Sequence, residues 1–133
     1  MVVRISIRPP DTTNVAKVII IDGDSVLFLL RKASEKYGGK WDLPGGHIVE
    51  GEEWMAGAIR ETAEETNLKI ANLEEVWSHQ NKKFFKTDLW EGTIFPRHSL
   101  PEHDDYRWIS SAEVEQLPNV SDMYVKAVRR AMK

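Results

Sequence analysis

Pro44-Gly45-Gly46 stands ahead of a proline-free run, Glu52 to Thr66, in which glutamates fall at positions 61, 64 and 65. No other stretch limits the fold so strongly. Met55, Ala58, Ile59, Thr62, Ala63 and Thr66 recur three and four apart, which predicts an amphipathic helix with that stripe against a core. Glu61, Glu64 and Glu65 then project from neighbouring positions on one side, where like charges cost a helix roughly 0.2–0.5 kcal/mol per pair. A divalent cation supplies the missing compensation. The chain has no cysteine, so any metal must use oxygen or imidazole ligands, and the hard carboxylate oxygens here point to Mg²⁺ or Mn²⁺, ions that join a few carboxylates to the phosphate oxygens of a substrate. An acidic run on a short helix is ordinarily a solvated face, and Glu64-Glu65 taken alone reads that way.

The flanks alternate differently. Val15 to Ile21 and Val26 to Leu30 are β-branched or aliphatic runs separated by Asp22-Gly23-Asp24, and they predict a hairpin. Arg31 to Lys40 reads as a loop, and Trp41 to Leu43 as a short strand stopped by Pro44-Gly45-Gly46. Ile70 to His79 and Phe84 to Phe95 read as strands, Pro96 to Asp105 as a loop and Tyr106 to Ile109 as a last short strand. Ser110 with Glu113 fits a capping box for a helix near Ala112 that Pro118 ends, and Ser121 can cap a terminal helix. Strands, helix, strands and helices in that order suggest a mixed sheet with helices packed on it.

A chain of 133 residues, 41% hydrophobic and 29% charged, fits one globular domain and excludes a disordered tail, a collagen-like repeat and a coiled-coil rod. Lys plus Arg number 18 against 21 Asp plus Glu, a balance that gives no field for sequence-independent binding to nucleic-acid backbone. Met1 to Pro10 lacks the apolar core of a secretory leader, and the longest apolar runs are too short to span a bilayer. A cytoplasmic protein without a membrane partner is the expectation. Its oligomeric state has no sequence signal.

Gly46, Glu52, Arg60, Glu61, Glu64, Glu65 and Leu68 stand at the spacings of the Nudix box, and the segment resembles it. With frequencies of about 5–7% per fixed position, seven coincidences are not chance. Thr62 replaces an aliphatic residue and Asn67 replaces the second glycine, yet Asn reaches the left-handed conformation that ends a helix. Trp41 to Gly45 resembles the family's lead-in, and Tyr106 to Ile109 the strand before its C-terminal helix.

The resemblance implies an α/β fold: a Nudix-type α/β/α sandwich, a mixed β-sheet between helices, over 1–133 as a single domain. It implies a Mg²⁺- or Mn²⁺-dependent pyrophosphohydrolase acting on a nucleoside diphosphate linked to another moiety. The Gly45 carbonyl with Glu61, Glu64 and Glu65 would hold the metal, and Glu52 would pair with Arg60 and orient the helix. Glu61 is the first choice for the base that activates water, with Glu102, Asp104, Asp105 and Glu91 as alternatives. Arg31, Lys32, Gly46 and His47 are candidates for the substrate's phosphates, and Lys17 for a place on a sheet face over the cleft. Substrates consistent with the family are nucleoside triphosphates, favoured by the shortness of the chain, nucleotide sugars such as ADP-ribose, dinucleoside polyphosphates and a capped RNA end. A non-catalytic nucleotide-binding relative would be expected to lose box carboxylates, and all four stand here. An isoprenoid-diphosphate isomerase would need a cysteine.

Overall fold

A computed structural model describes residues 13–34 and 38–133. The leader question at Met1 to Pro10 and the middle of the expected 31–40 loop lie outside the described residues. β1 (Val15–Asp22) and β2 (Ser25–Arg31) make the expected hairpin, turned at Gly23, whose φ of +66° suits a residue without Cβ. The two strands pair only at the turn, through Ile21 with Val26 and Asp22 with Ser25. They diverge from there.

That fork is filled from both sides. β3 (Trp41–Asp42) pairs with the far half of β2, and β4 (Gly45–His47) pairs with Val15–Lys17 at the start of β1. The sequence predicts that Pro44-Gly45-Gly46 stops a strand, with no strand of its own. Instead the chain breaks at Leu43-Pro44 and resumes, because glycine lets the backbone lie close to β1: a Cβ on Gly45 would stand 2.1 Å from the Ala16 carbonyl oxygen.

α1 (Trp54–Thr66) follows, starting two residues later than the periodicity suggests. The stripe is also rotated. Met55 and Ile59 are exposed, at 43% and 37%, and the buried positions are Gly57, Ala58, Thr62 and Thr66. Close approach is the reason, since a Cβ on Gly57 would stand 2.5 Å from Ile48 Cδ1, leaving no room for long side chains on that side. Asn67 ends the helix at φ +75° with its N–H on the Ala63 carbonyl, as the sequence predicts.

Ile70 to His79 is two strands, β5 (Lys69–Ala71) and β6 (Glu74–His79), separated at Asn72, whose φ is +55°. Phe84 to Phe95 is likewise divided. β7 (Lys82–Thr87) runs parallel to β1 with β6 outside it, whereas β8 (Leu89–Glu91) turns away to pair with β5 in a separate ribbon. β9 (His103–Ser110) starts three residues before the expected Tyr106 and covers the outer edge of β2. Residues 111–116 form a 3₁₀ segment, and Ser110 makes no side-chain cap bond, so the capping box with Glu113 is absent. Six residues before Pro118 are too few to repay an α-helical nucleus. α2 (Asp122–Ala131) is capped by Ser121, whose hydroxyl accepts from Met123 N.

Strand parity sorts β1 between two cores. Ala16, Val18 and Ile20 meet Ala58 and Leu68 beneath α1, whereas Ile19 meets Val114 and Val128 beneath α2. The result is helix, mixed sheet and helix in three layers. Lys17 falls on the α2 face. Among the described residues no helix is long and apolar enough to cross a membrane.

Candidate active site

The fork between β1 and β2 opens into a cleft of about 690 Å³, lined from one side by Glu61, Glu64 and Glu65 and from the other by Lys17, Asp42 and Tyr124. α1 supplies the first wall because positions 61, 64 and 65 lie on its side next to β4. Glu65 Oε1 accepts from Gly45 N at 3.0 Å. Burial pushes the Glu65 carboxyl up to about 8, against the opposing charge of Lys17 and the Gly45 hydrogen bond. Glu61 is raised too, by burial first, with Arg60 opposing and Glu64 adding to it.

Arg60 organises this wall. Its Nε meets Glu52 Oε2 at 2.8 Å and its Nη2 meets Glu52 Oε1 at 3.1 Å, a two-point grip across the first turns of the helix. Glu52 Oε1 also accepts from Val49 N at 3.1 Å, fixing the chain between β4 and α1. The hydrogen bonds from Arg60 hold the Glu52 carboxyl below its usual range. Arg60 Nη1 lies 3.3 Å from Glu61 Oε2 and 3.2 Å from Glu64 Oε2, and Nη2 donates to the His47 carbonyl at 3.3 Å.

The opposite wall is a buried ion network. Lys17 Nζ lies 3.0 Å from Asp42 Oδ1 and donates to the Leu43 carbonyl at 3.1 Å. Arg31 Nη1 reaches Asp42 Oδ2 at 3.1 Å, and Tyr124, whose hydroxyl burial pushes up to about 12, lines the cleft beside them. Burial works against both charges, yet Lys17 and Asp42 stabilise each other, so the ammonium is held above its ordinary value and the carboxyl below. Asp42 and Tyr124 are site residues that the sequence reasoning missed. Their signal was indirect: a lysine inside the apolar run 15–21 needs a buried anion, and Asp42 stands between Trp41 and Leu43 in a strand.

The remaining candidates separate. Gly46, His47, Arg31 and Glu102 line the cleft, and Lys32 is not among the described residues that do. Asp104 accepts from Ala33 N at 3.3 Å, and Asp105 is paired with Arg97 at 2.8 Å. Glu91 sits on the β5–β8 ribbon opposite Lys69. His103 is buried, with Nδ1 3.2 Å from the Pro101 carbonyl and Nε2 without a partner. Trp41 lines the cleft, whereas Trp90 and Trp108 stack on each other at 5.3 Å beneath the sheet.

Among the described residues no three acidic or histidine side chains converge to enclose an ion as they stand. Arg60 draws Glu61 and Glu64 to itself while Gly45 holds Glu65. The donor set still suits a hard cation: Glu61 and Glu64 share one guanidinium with Glu52, and Glu61 and Glu65 are raised by burial. Gly46 leaves the approach open, since a Cβ there would lie 2.7 Å from the Glu61 carboxyl oxygen.

The NUDIX domain family profile matches residues 11–130. The chain belongs to the Nudix family. A Mycobacterium tuberculosis protein named "Putative 8-oxo-dGTP diphosphatase 2" is 41% identical over 54 residues, a match covering 41% of this chain and 38% of that protein's length. The asymmetrical bis(5'-nucleosyl)-tetraphosphatase of Mus musculus is 29% identical over 77% of both chains. Among solved structures, the MutT protein from Bacillus halodurans superposes with a TM-score of 0.73 at 25% identity, over 90% of this chain and 81% of that one.

Proposed function

We propose that the protein is a metal-dependent pyrophosphohydrolase that works as a single domain, 1–133, on a nucleoside diphosphate linked to another moiety. One observation carries this reading: α1 delivers Glu61, Glu64 and Glu65 to the same cleft as Gly45, Gly46 and His47, with Glu52 and Arg60 locking the helix against β4. Glu61, Glu64, Glu65 and the Gly45 carbonyl would hold Mg²⁺ or Mn²⁺. The bound ion would neutralise charge developing on the leaving phosphate and lower the pKa of water.

The chain's own groups supply the rest. Glu61 takes the proton as the water oxygen bonds to phosphorus and the bridging P–O bond breaks. Arg60, already on Glu52, holds Glu61 and Glu64 in place before substrate arrives. His47, Gly46 and Arg31 lie where they could steady the phosphates. Glu102 is the second choice of base because, of the later acids, it lines the cleft while Asp104 and Asp105 are engaged elsewhere. Nucleoside triphosphates are the favoured substrates, in keeping with the mycobacterial relative's name.

The test is hydrolysis of a panel with Mg²⁺, Mn²⁺ or chelator: nucleoside triphosphates, ADP-ribose, dinucleoside tetraphosphates and 5'-capped RNA. Metal-dependent release of a nucleoside monophosphate is the expected result. Binding without turnover across the whole panel would leave a nucleotide-binding domain instead.

A further inference from the structure

The proposed hydrolysis draws on the α1 wall and on Arg31, and gives no part to Lys17, Asp42 and Tyr124. A lysine ammonium has three donors. Lys17 Nζ donates one to the Leu43 carbonyl at 3.1 Å and lies 3.0 Å from Asp42 Oδ1 as an ion pair, which leaves at least one N–H in a residue that lines the cleft. Its position is fixed by those two contacts, and Asp42 is itself held by Arg31 at 3.1 Å. Trp41, Met123 and Tyr124 line the same wall, and flat or polarizable side chains suit a planar ring.

The charge of Lys17 itself is spent on Asp42, and its side chain is only 8% exposed. Arg31, which reaches the other Asp42 oxygen and is 32% exposed, lines the same cleft with Lys40 and Lys82, and these are the cations open to phosphate. At Lys17 a neutral oxygen with a lone pair would find one fixed donor. An amino group at the same place would set donor against donor and leave both unpaired in a desolvated wall, the situation in which a binding site discriminates most strongly.

We propose that Lys17 is a specificity-determining residue whose remaining N–H donates to a keto oxygen of the nucleobase. The site therefore takes 6-keto purine and 4-keto pyrimidine nucleotides in preference to their amino counterparts. The proposal rests on the hydrolase reading only for which end of the substrate meets which wall.

Nucleoside monophosphates test it without turnover, because they contain no anhydride to cleave. Calorimetric titration of the wild type is expected to give GMP over AMP, and UMP over CMP, by about tenfold or more. IMP should follow GMP, which assigns the preference to the 6-position. In Lys17→Met/Asp42→Asn, which removes both buried charges together, both ratios should fall below about threefold. Wild-type ratios near one, or a preference for the amino bases, overturn the proposal even if the double variant fails to fold. So does an equal loss for all four nucleotides and for inorganic phosphate, which would make Lys17 a phosphate contact. Failure of the hydrolase reading would appear separately, as absence of turnover in the triphosphate panel.

Discussion

The two walls of the cleft hold charge in opposite ways. On the α1 wall Glu61 and Glu64 share Arg60 with Glu52, Glu65 rests on Gly45 N, and burial raises Glu61 and Glu65. On the wall built by β1, β3 and α2, each buried charge has a partner within about 3 Å. A wall with unbalanced like charge is prepared for a cation from outside. A wall whose buried charges already have partners is suited to orienting a ligand. The difference in charge accounting therefore divides the chemistry from the recognition.

Breaking the balanced wall should have the larger effect on stability. Asp42→Ala leaves Lys17 buried and unpaired, and should cost about 3–5 kcal/mol in denaturant unfolding. Lys17→Met/Asp42→Asn should recover most of that loss. Breaking the lock on the other wall is milder. Glu52→Gln gives up a charged two-point contact with Arg60 at a part-exposed site, and should cost about 1–2 kcal/mol while lowering turnover.

Acidity should separate the walls again. Glu65 is raised from its usual 4.5 to about 8 in the folded protein, so its contribution is full below 4.5 and is lost as pH rises through 8. Asp42 is lowered from 3.8, so its contribution is present above 3.8 and is lost as pH falls further. Metal-free protein should thus melt higher at pH 5 than at pH 8 and lose stability again below about pH 4. Glu65→Gln should flatten the first slope and Asp42→Asn the second. Saturating Mg²⁺ should abolish the first slope alone.

What the sequence made legible follows the same division. The α1 wall comes from one contiguous segment, where spacings of three and four translate directly into a shared helix side, so Glu61, Glu64 and Glu65 could be read before any fold was known, and the Glu52–Arg60 pair followed from the resemblance to the Nudix box. The opposite wall joins residues 17, 31, 42 and 124, and no local period links positions so far apart. Lys17 could be named as a candidate for a sheet face over the cleft, but its partner Asp42 depends on the fork between β1 and β2. The rotated stripe of α1 was illegible for a related reason. Met55 and Ile59 fit the period, and only the closeness of Gly57 to Ile48 moves the small residues to the buried side.

The smallest expected effect lies where α1 ends. Asn67 adopts φ +75° and its side chain donates to the Thr93 carbonyl at 3.0 Å. Asn67→Gly relieves the backbone but loses that bond, and should change stability by less than about 1 kcal/mol. Asn67→Val should cost about 1–2 kcal/mol, because a β-branched residue is strained there. Paired thermal melts separate the two.

The central claim is that the α1 carboxylates perform metal-dependent hydrolysis. Its most direct measurement is turnover of a nucleoside triphosphate by Glu65→Gln beside the wild type, at saturating Mg²⁺, with melting curves to confirm both are folded. The amide keeps the shape and removes a hard ligand, so kcat should fall by about a hundredfold or more while the metal-free melting temperature at pH 8 holds or rises. A folded Glu65→Gln that turns over at near-wild-type rate would contradict the account.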